Sequence, residues 1–196
     1  MQHVKEGHYL LDELIGILDV EAKKASNYIS SVIHDDGYFP HVSEYFSDVV
    51  ISDVVEFEEK LTSEYRKTLW GRHGIYVFVI KEDFTLTYKE VWDYCEKCKA
   101  AGFQEYHDYY LKKGQHFYQG SATSLSLYSR LNQHFSTSKT VSSMHLNHPS
   151  RVIVKDKLTV YVFPMRKVYK NYKLFSKMVE EKIHERYHPI TGSTRV

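Results

Sequence analysis

The sequence predicts an α+β protein: a small, three-stranded, mainly antiparallel sheet flanked by helices and preceded by an N-terminal helical region. Three short runs rich in valine, isoleucine and aromatic residues predict the strands, at 74–80, 116–120 and 158–163. The segments around them show the apolar spacing of amphipathic helices. At this change of pattern the 196-residue chain divides into an N-terminal region, 1–70, and a second domain, 71–196.

The N-terminal region is predicted to be helical throughout. Leucine and isoleucine recur at helical spacing from Leu10 to Leu18, and 22–33 continues a weaker pattern as far as Asp35-Asp36-Gly37. A third helix is predicted from Val54 to Trp70. Its apolar stripe comprises Phe57, Leu61, Tyr65 and Leu69. The acidity of this region disfavours a role in reading DNA and favours packing, dimerisation or contact with a partner. A further alternative is that the region masks the basic domain.

The second domain alternates strands with helices. The buried-strand pattern is clearest in the first strand, and proline ends both the third strand and the last helix. In chain order, the predicted elements are a strand at Gly74–Ile80, a helix at Thr87–Tyr110, a strand at His116–Gly120, a helix at Leu125–Phe135, a strand at Leu158–Phe163 and a helix at Asn171–Tyr187.

The net charge of +1 conceals two oppositely charged parts. Residues 1–62 contain thirteen acidic and four basic residues, whereas 63–196 contain twelve acidic and twenty-two basic ones. Within the second part, 116–196 contain thirteen basic and four acidic residues. A domain with this bias attracts polyanions, so we expect a nucleic-acid partner.

Other classes of protein are disfavoured by composition. No apolar run approaches the roughly 20 residues that cross a bilayer, and no signal peptide opens the chain. The only two cysteines, Cys95 and Cys98, cannot form a disulfide framework, which fits a reducing cytoplasm. Their CxxC spacing lacks the second pair of ligands that a structural zinc site needs.

Three features bring chemically active side chains together. Gly74-Ile75-Tyr76 opens one strand and Tyr118-Gln119-Gly120 closes the next, so paired strands would put both tyrosines near one end of the sheet. Arg130 and His134 are four residues apart and therefore share one helix face. The last helix carries Glu180. Each feature taken singly is also typical of packing or of a solvated helix.

Together these features resemble the GIY-YIG nuclease superfamily, and in particular its restriction-endonuclease-like branch. The stretches that carry the resemblance are GIYVFVI, FYQGSATSLSLYSRLNQHF and MVEEKIHERYHP. They extend from Gly74 to about Gly192 and occur in the order of the superfamily's motifs. The resemblance implies a metal-dependent, restriction-type endonuclease that hydrolyses phosphodiester bonds in DNA, with double-stranded DNA as the expected substrate. The alternative is a module that has kept the fold and binds nucleic acid without cutting it.

The resemblance also implies a role for each site residue. Glu180 would bind Mg²⁺ or Mn²⁺, with Glu181 as its rival; Arg130 would stabilise charge on the phosphate. Tyr76 would activate the attacking water, with Arg130, the metal or His134 as its helper, and Tyr118 would position water or phosphate. Candidate nucleic-acid contacts are Arg72, Lys139, Arg151 and Lys167. A homodimer is compatible with a short enzyme that must cut two strands.

Three departures from the superfamily pattern stand out. Gln119 replaces an apolar residue, which we interpret as a tolerated change of facing. Residues 81–115 form an insertion, whose tyrosines, tryptophan and lysines could contact nucleic acid or merely cover the sheet. Gly192 stands where the superfamily usually has an asparagine, which predicts the loss of one polar contact.

Overall fold

The computed structural model of the protein describes residues 16, 20, 48–81, 84, 116–137, 143–148, 152–165, 176, 177, 180, 181, 184 and 189. The elements in chain order are β1 (Val50–Asp53), α1 (Val54–Leu61), α2 (Tyr65–Leu69), β2 (Gly74–Ile80), β3 (His116–Ala122), α3 (Leu127–Phe135), α4 (Val152–Lys155) and β4 (Leu158–Pro164). The α+β class is confirmed, because helices accompany a sheet in which every pair of neighbouring strands is antiparallel.

The predicted number of strands was wrong. The sheet has four strands in the order β1-β4-β2-β3, and the additional strand, Val50–Asp53, comes from the region predicted to be helical. Val50 pairs with Val162 and Asp53 with Thr159. A strand of four residues is too short to show a periodic pattern, so its pairing partner rather than its own sequence determines it.

The helix predicted at 54–70 is interrupted. Residues 62–64 form a turn between α1 and α2, and threonine and serine at 62 and 63 favour helices only weakly. The predicted apolar stripe nevertheless faces inward: Phe57 and Leu61 are buried, and the ring of Tyr65 stacks on Phe57 at 5.0 Å. The interruption therefore changes the backbone without changing which side chains pack.

Strand β2 lies in the middle of the sheet and is buried on both faces. It pairs with β3 on one side and with β4 on the other, and all seven of its residues are buried. One face forms the main hydrophobic core with α1, α2 and α3. Helical backbone at Ser176 and Glu180 lies against the other face, where Ser176 hydrogen-bonds to Met165 and Glu180 to β3.

Strand β3 contains a bulge that changes which side chains share a face. Tyr118 pairs with Phe78 and His116 with Val79, so Phe117 has no partner in the register. The bulge places His116 on the same face as Gln119. The predicted strand 116–120 continues to Ala122, so Gly120 lies inside the strand and does not end it.

The helix predicted at 125–135 is confirmed from Leu127 to Phe135. The side chain of Ser126 accepts a hydrogen bond from the amide of Ser129 and thus caps its first turn. The helices predicted at 22–33 and 87–110 lie outside the described residues, as do most of those at 10–18 and 171–187. The boundary at residue 70 stays a prediction, although α1 and α2 share one core with the sheet.

Within the described ranges, no helix is long and apolar enough to cross a membrane.

Candidate active site

The candidate site is built around the edge segment, which we define as Tyr118–Ser121 of β3. Strand β3 lies at one end of the described sheet, and its side chains alternate between the two faces. Tyr118 and Gly120 face the core together with α3, whereas Gln119 and Ser121 face the segment that carries Glu180. Four consecutive residues therefore touch site groups on both faces of the sheet.

Gly120 makes room for Tyr76. The two residues are direct cross-strand partners, and a Cβ atom added at Gly120 would lie 2.5 Å from the Tyr76 hydroxyl and 2.8 Å from its Cζ. The phenol ring consequently lies across the bare backbone of β3 toward the edge of the sheet. The glycine thus directs Tyr76 toward the position where Glu180 meets the same strand.

Arg130 joins the two tyrosines on the core face. Its Nε donates to the Tyr76 hydroxyl at 3.2 Å and its Nη2 donates to the Tyr118 hydroxyl at 3.4 Å. Nη1 donates to the side-chain oxygen of Gln133, one turn further along α3, at 3.0 Å. The guanidinium is half-buried and held in one plane by these contacts, so its charge is directed at the edge segment.

His134 lies on the buried side of the same helix. Its Nε2 is 2.9 Å from the Tyr76 hydroxyl, and its Nδ1 accepts a hydrogen bond from the amide of Met144 at 3.0 Å. Burial, followed by the electrostatic influence of Arg130 and then of His145, lowers the pKa of His134 well below its ordinary value. The ring is therefore neutral at physiological pH.

Glu180 is held on the opposite face of the sheet. The hydroxyl of Ser121 donates to its carboxylate at 2.5 Å, and the amide nitrogen of Gln119 donates to its backbone carbonyl at 3.0 Å. Its neighbour Glu181 is exposed and lies 3.7 Å from the ammonium of Lys177. Of the two rival carboxylates, only Glu180 contacts the edge segment through these bonds.

The two phenols differ in acidity. Burial raises the pKa of Tyr76 well above its ordinary value, and the charge of Tyr118 adds to this while Arg130 opposes it. Burial also raises the pKa of Tyr118, against the positive charge of Arg130 and hydrogen bonds from Arg130 and Tyr76. The charge of Glu180 raises both pKa values, which indicates that it lies within electrostatic reach of both hydroxyls.

The residues that could hold a divalent cation are few. Among the described residues, no group of three or more His, Cys, Asp and Glu side chains could enclose an ion. The half-buried carboxylate of Glu180 is a hard oxygen donor of the kind that Mg²⁺ and Mn²⁺ bind. Because Mg²⁺ commonly keeps several waters and takes phosphate oxygens as ligands, a site with one carboxylate fits such an ion.

The five predicted catalytic residues, Tyr76, Tyr118, Arg130, His134 and Glu180, are thus brought to one strand edge. Of the predicted nucleic-acid contacts, only Arg72 is described; it pairs with Asp48 at 2.8 Å. Lys139, Arg151 and Lys167 lie outside the described residues, as do Cys95, Cys98 and Gly192.

The sequence did not reveal the roles of Ser121 and Gln119. Ser121 lies outside the predicted set, and the interpretation of Gln119 as a tolerated change of facing does not include the hydrogen bonds that both residues make to Glu180. The available signal was two polar residues spaced by two in an otherwise apolar strand, which places both on one face. The segment around Met144 gave no signal in the sequence, because it contacts His134 through a backbone amide and not through a side chain.

A pH dependence of stability follows from His116, which is buried on the Gln119 face. Burial lowers its pKa to about 4, so below its unfolded value of about 6.5 the unfolded chain takes up a proton that the folded chain does not. The full contribution of neutral His116 to the free energy of unfolding is present above about pH 6.5. We expect roughly 3 kcal/mol of that free energy to be lost as the pH falls to about 4.

Urea unfolding of the wild type and of His116→Gln across this pH range would measure the effect. The difference in free energy of unfolding between them should shift steadily in favour of the variant toward acid. Curves that stay parallel would contradict the expectation, whatever constant cost the substitution has.

Compared with known proteins, the chain matches no family model, no curated protein and no solved structure.

Proposed function

We propose that the protein is a metal-dependent endonuclease that hydrolyses phosphodiester bonds in DNA, of the restriction-type GIY-YIG kind that its motifs resemble. The observation that carries the proposal is that site residues from both faces of the sheet contact the edge segment. Arg130 and two phenols approach it from one face, and Glu180 is hydrogen-bonded to it from the other. This hydrolysis needs a positive charge near the phosphate, groups that transfer protons and a carboxylate that can bind a metal ion. Arg130, the two phenols and Glu180 are side chains of these kinds.

Arg130 is the proposed phosphate ligand. Its planar guanidinium suits the oxygens of a phosphodiester, and two phenols and Gln133 hold its orientation before substrate arrives. Charge builds up on those oxygens as the attacking oxygen approaches. A cation already in place stabilises that charge without reorganisation at the moment of reaction.

Proton transfer is the proposed role of the tyrosine pair. Hydrolysis forms a bond from the water oxygen to phosphorus, breaks the bond to the leaving oxygen and transfers one water proton to a base. The resemblance implies that Tyr76 contacts the attacking water. That residue is 0% exposed, however, whereas Tyr118 is 6% exposed. We therefore assign contact with the water to Tyr118; Arg130 donates to its hydroxyl and opposes the rise in pKa that burial causes.

Glu180 is the proposed ligand for Mg²⁺ or Mn²⁺. When bound, such an ion would supply Lewis-acid stabilisation of the phosphate and leaving oxygens. The hydrogen bonds from Ser121 and Gln119 orient the carboxylate and the backbone of its helix toward the edge segment. Second contacts of this kind keep a ligand in position between turnovers.

The charge distribution supports DNA as the partner. Residues 63–196 have ten more basic than acidic residues, a bias that attracts the closely spaced phosphates of duplex DNA. We propose that the acidic N-terminal third stays away from the DNA and that a homodimer cuts the two strands.

Plasmid cleavage with Mg²⁺ or Mn²⁺ tests the function, and Glu180→Gln with its neighbour Glu181→Gln forms a matched pair. Both variants remove one carboxylate charge from the same turn, but only Glu180 contacts the edge segment through the observed bonds. We expect Glu180→Gln to lower the cleavage rate about a hundredfold and Glu181→Gln to leave it nearly unchanged.

Equal effects of the two substitutions would remove Glu180 from the site. Wild-type protein that binds duplex DNA in a salt-dependent way but cuts it with neither metal would overturn the nuclease proposal. That result would instead favour the binding module.

A further inference from the structure

The two ring nitrogens of His134 have different kinds of partner. The amide of Met144 lies 3.0 Å from Nδ1, and a backbone amide can only donate, so Nδ1 accepts and carries no proton. In the neutral ring the single proton must then be on Nε2. That N–H group donates to the Tyr76 hydroxyl at 2.9 Å.

The hydroxyl oxygen of Tyr76 therefore accepts two hydrogen bonds, one from His134 and one from Arg130 Nε at 3.2 Å. A phenolic oxygen has two acceptor positions and one proton. With both acceptor positions occupied, the proton of Tyr76 must be directed away from His134. The neighbouring oxygen is that of Tyr118, whose hydroxyl accepts from the same guanidinium at 3.4 Å and whose ring is stacked on that of Tyr76.

The tautomer of His134 is held by a buried segment, Ser143–Leu146. Every residue of this segment is buried, and His145 has a φ of 50°, which few residues other than glycine adopt. The segment makes four hydrogen bonds to the end of α3: Ser143 Oγ to the Gln133 carbonyl at 2.8 Å, Met144 N to His134 Nδ1 at 3.0 Å, His145 Nδ1 to the Ser136 carbonyl at 3.0 Å and Leu146 N to the His134 carbonyl at 2.7 Å.

These four bonds leave the imidazole little freedom. Rotating the ring to present Nδ1 to Tyr76 would break the bond from Met144 and leave that buried amide without its acceptor. The carbonyls at the end of α3 would meanwhile keep the segment in place. The orientation is thus a property of the fold around the helix end.

We infer that His134 is a positioning residue: a hydrogen-bond donor in one fixed tautomer that orients the Tyr76 hydroxyl toward Tyr118 and accepts no proton during the reaction. The catalytic meaning of this inference rests on the proposed nuclease function, whereas the tautomer itself does not. It differs from the expectation that His134 is a titrating partner that helps Tyr76 lose its proton.

Two substitutions distinguish a donor from a base. Glutamine at 134 offers an amide N–H to Tyr76 and an oxygen to Met144, but it cannot take up a proton near neutrality. Leucine offers neither. If His134 is a donor, His134→Gln should retain cleavage within about tenfold of wild type, while His134→Leu loses about a hundredfold.

The pH profile provides a second readout of the same variants. The acid limb of the cleavage rate should keep its midpoint in His134→Gln, because the group that titrates there is not His134. Equal inactivity of both variants, with urea unfolding showing both folded, would overturn the inference. So would an acid limb that disappears with the imidazole.

A spectroscopic measurement separates this inference from the proposed function. Nitrogen-15 spectra of the wild-type histidines, with His134 identified by its absence from His134→Gln, should show a proton on Nε2 and no titration between about pH 5 and pH 8. A proton on Nδ1, or a titration in that range, would overturn the inference even if cleavage is observed. The predicted spectrum without any cleavage would leave the tautomer established and reject the nuclease proposal instead.

Discussion

Replacing Arg130 by alanine is expected to lower the rate of DNA cleavage about a thousandfold, the size of effect seen when a preorganised donor to a reacting oxygen is removed. The guanidinium makes three side-chain hydrogen bonds, to Tyr76, Tyr118 and Gln133. Its loss would remove the phosphate ligand and the charge that opposes the rise in pKa of both tyrosines.

Arg130→Lys makes this prediction more specific. Lysine keeps the charge, but an ammonium on a flexible stem cannot contact two phenols and an amide in one plane. We expect most of the loss to remain in Arg130→Lys, because geometry and not charge alone is needed. Single-turnover cleavage with saturating protein measures the chemical step apart from binding.

Arg66→Ala is the matched control for Arg130. Arg66 lies over the rings of Trp70 and Tyr128, at 5.2 and 5.8 Å, and makes none of the observed contacts to the edge segment. The Arg66→Ala variant should cleave DNA at nearly the wild-type rate. An Arg130→Ala variant that remains folded and cleaves within about tenfold of wild type would contradict the assigned role.

Replacing Gly74 by alanine is expected to lower the free energy of unfolding by about 3 kcal/mol or more, in the upper range for steric changes in a core. An added Cβ would lie 2.1 Å from the backbone oxygen of Phe163 and 2.9 Å from Leu127. Gly74 pairs with Ala122 on one side and Pro164 on the other, so neither strand can move away independently. The first residue of the GIY motif is therefore required for sheet packing.

Gly16→Ala is the control for this change. No atom lies within 4 Å of a Cβ built at Gly16, which has helical backbone and is exposed. Alanine there should leave stability unchanged or raise it by up to about 1 kcal/mol. Urea unfolding of both variants measures the difference. A Gly74→Ala protein within about 1 kcal/mol of wild type would show that β2 and β4 can separate to admit a methyl group.

Several elements could be predicted because their patterns are local. The run from Gly74 to Ile80 is apolar or aromatic at every position after the glycine, which is typical of a short strand buried on both faces. Helix α3 could be recognised from Leu127, Leu131 and Phe135, which lie on its buried side. The antiparallel pairing of the two motif strands is confirmed as well.

Other features had no local signal. Strand β1 has four residues and exists because it pairs with β4, more than a hundred residues later in the chain. The bulge at Phe117 shifts His116 to the other face of β3 without any glycine or proline to mark it. Both depend on a partner strand, whose register no single segment specifies.

The sequence by itself suggested the five principal residues of the candidate site. Residue type and chain order singled out Tyr76, Tyr118, Arg130, His134 and Glu180 only jointly, through the resemblance of their order to a superfamily's motifs, whereas helix periodicity indicated no more than that Arg130 and His134 share one face. The charge of residues 63–196 required only counting. Nothing in these patterns distinguished the environments of the two tyrosines or showed which groups donate and which accept hydrogen bonds.

The tertiary structure decided how those groups are buried and hydrogen-bonded. It buries Tyr76 over Gly120, ties Glu180 to Ser121 and Gln119, and sets the tautomer of His134 through one backbone amide at Met144. Burial and hydrogen-bond direction depend on atoms brought together from distant parts of the chain. For that reason, the sequence could name most of the side chains at the edge of β3, and only packing could decide which of them donates, which accepts and which is exposed to solvent.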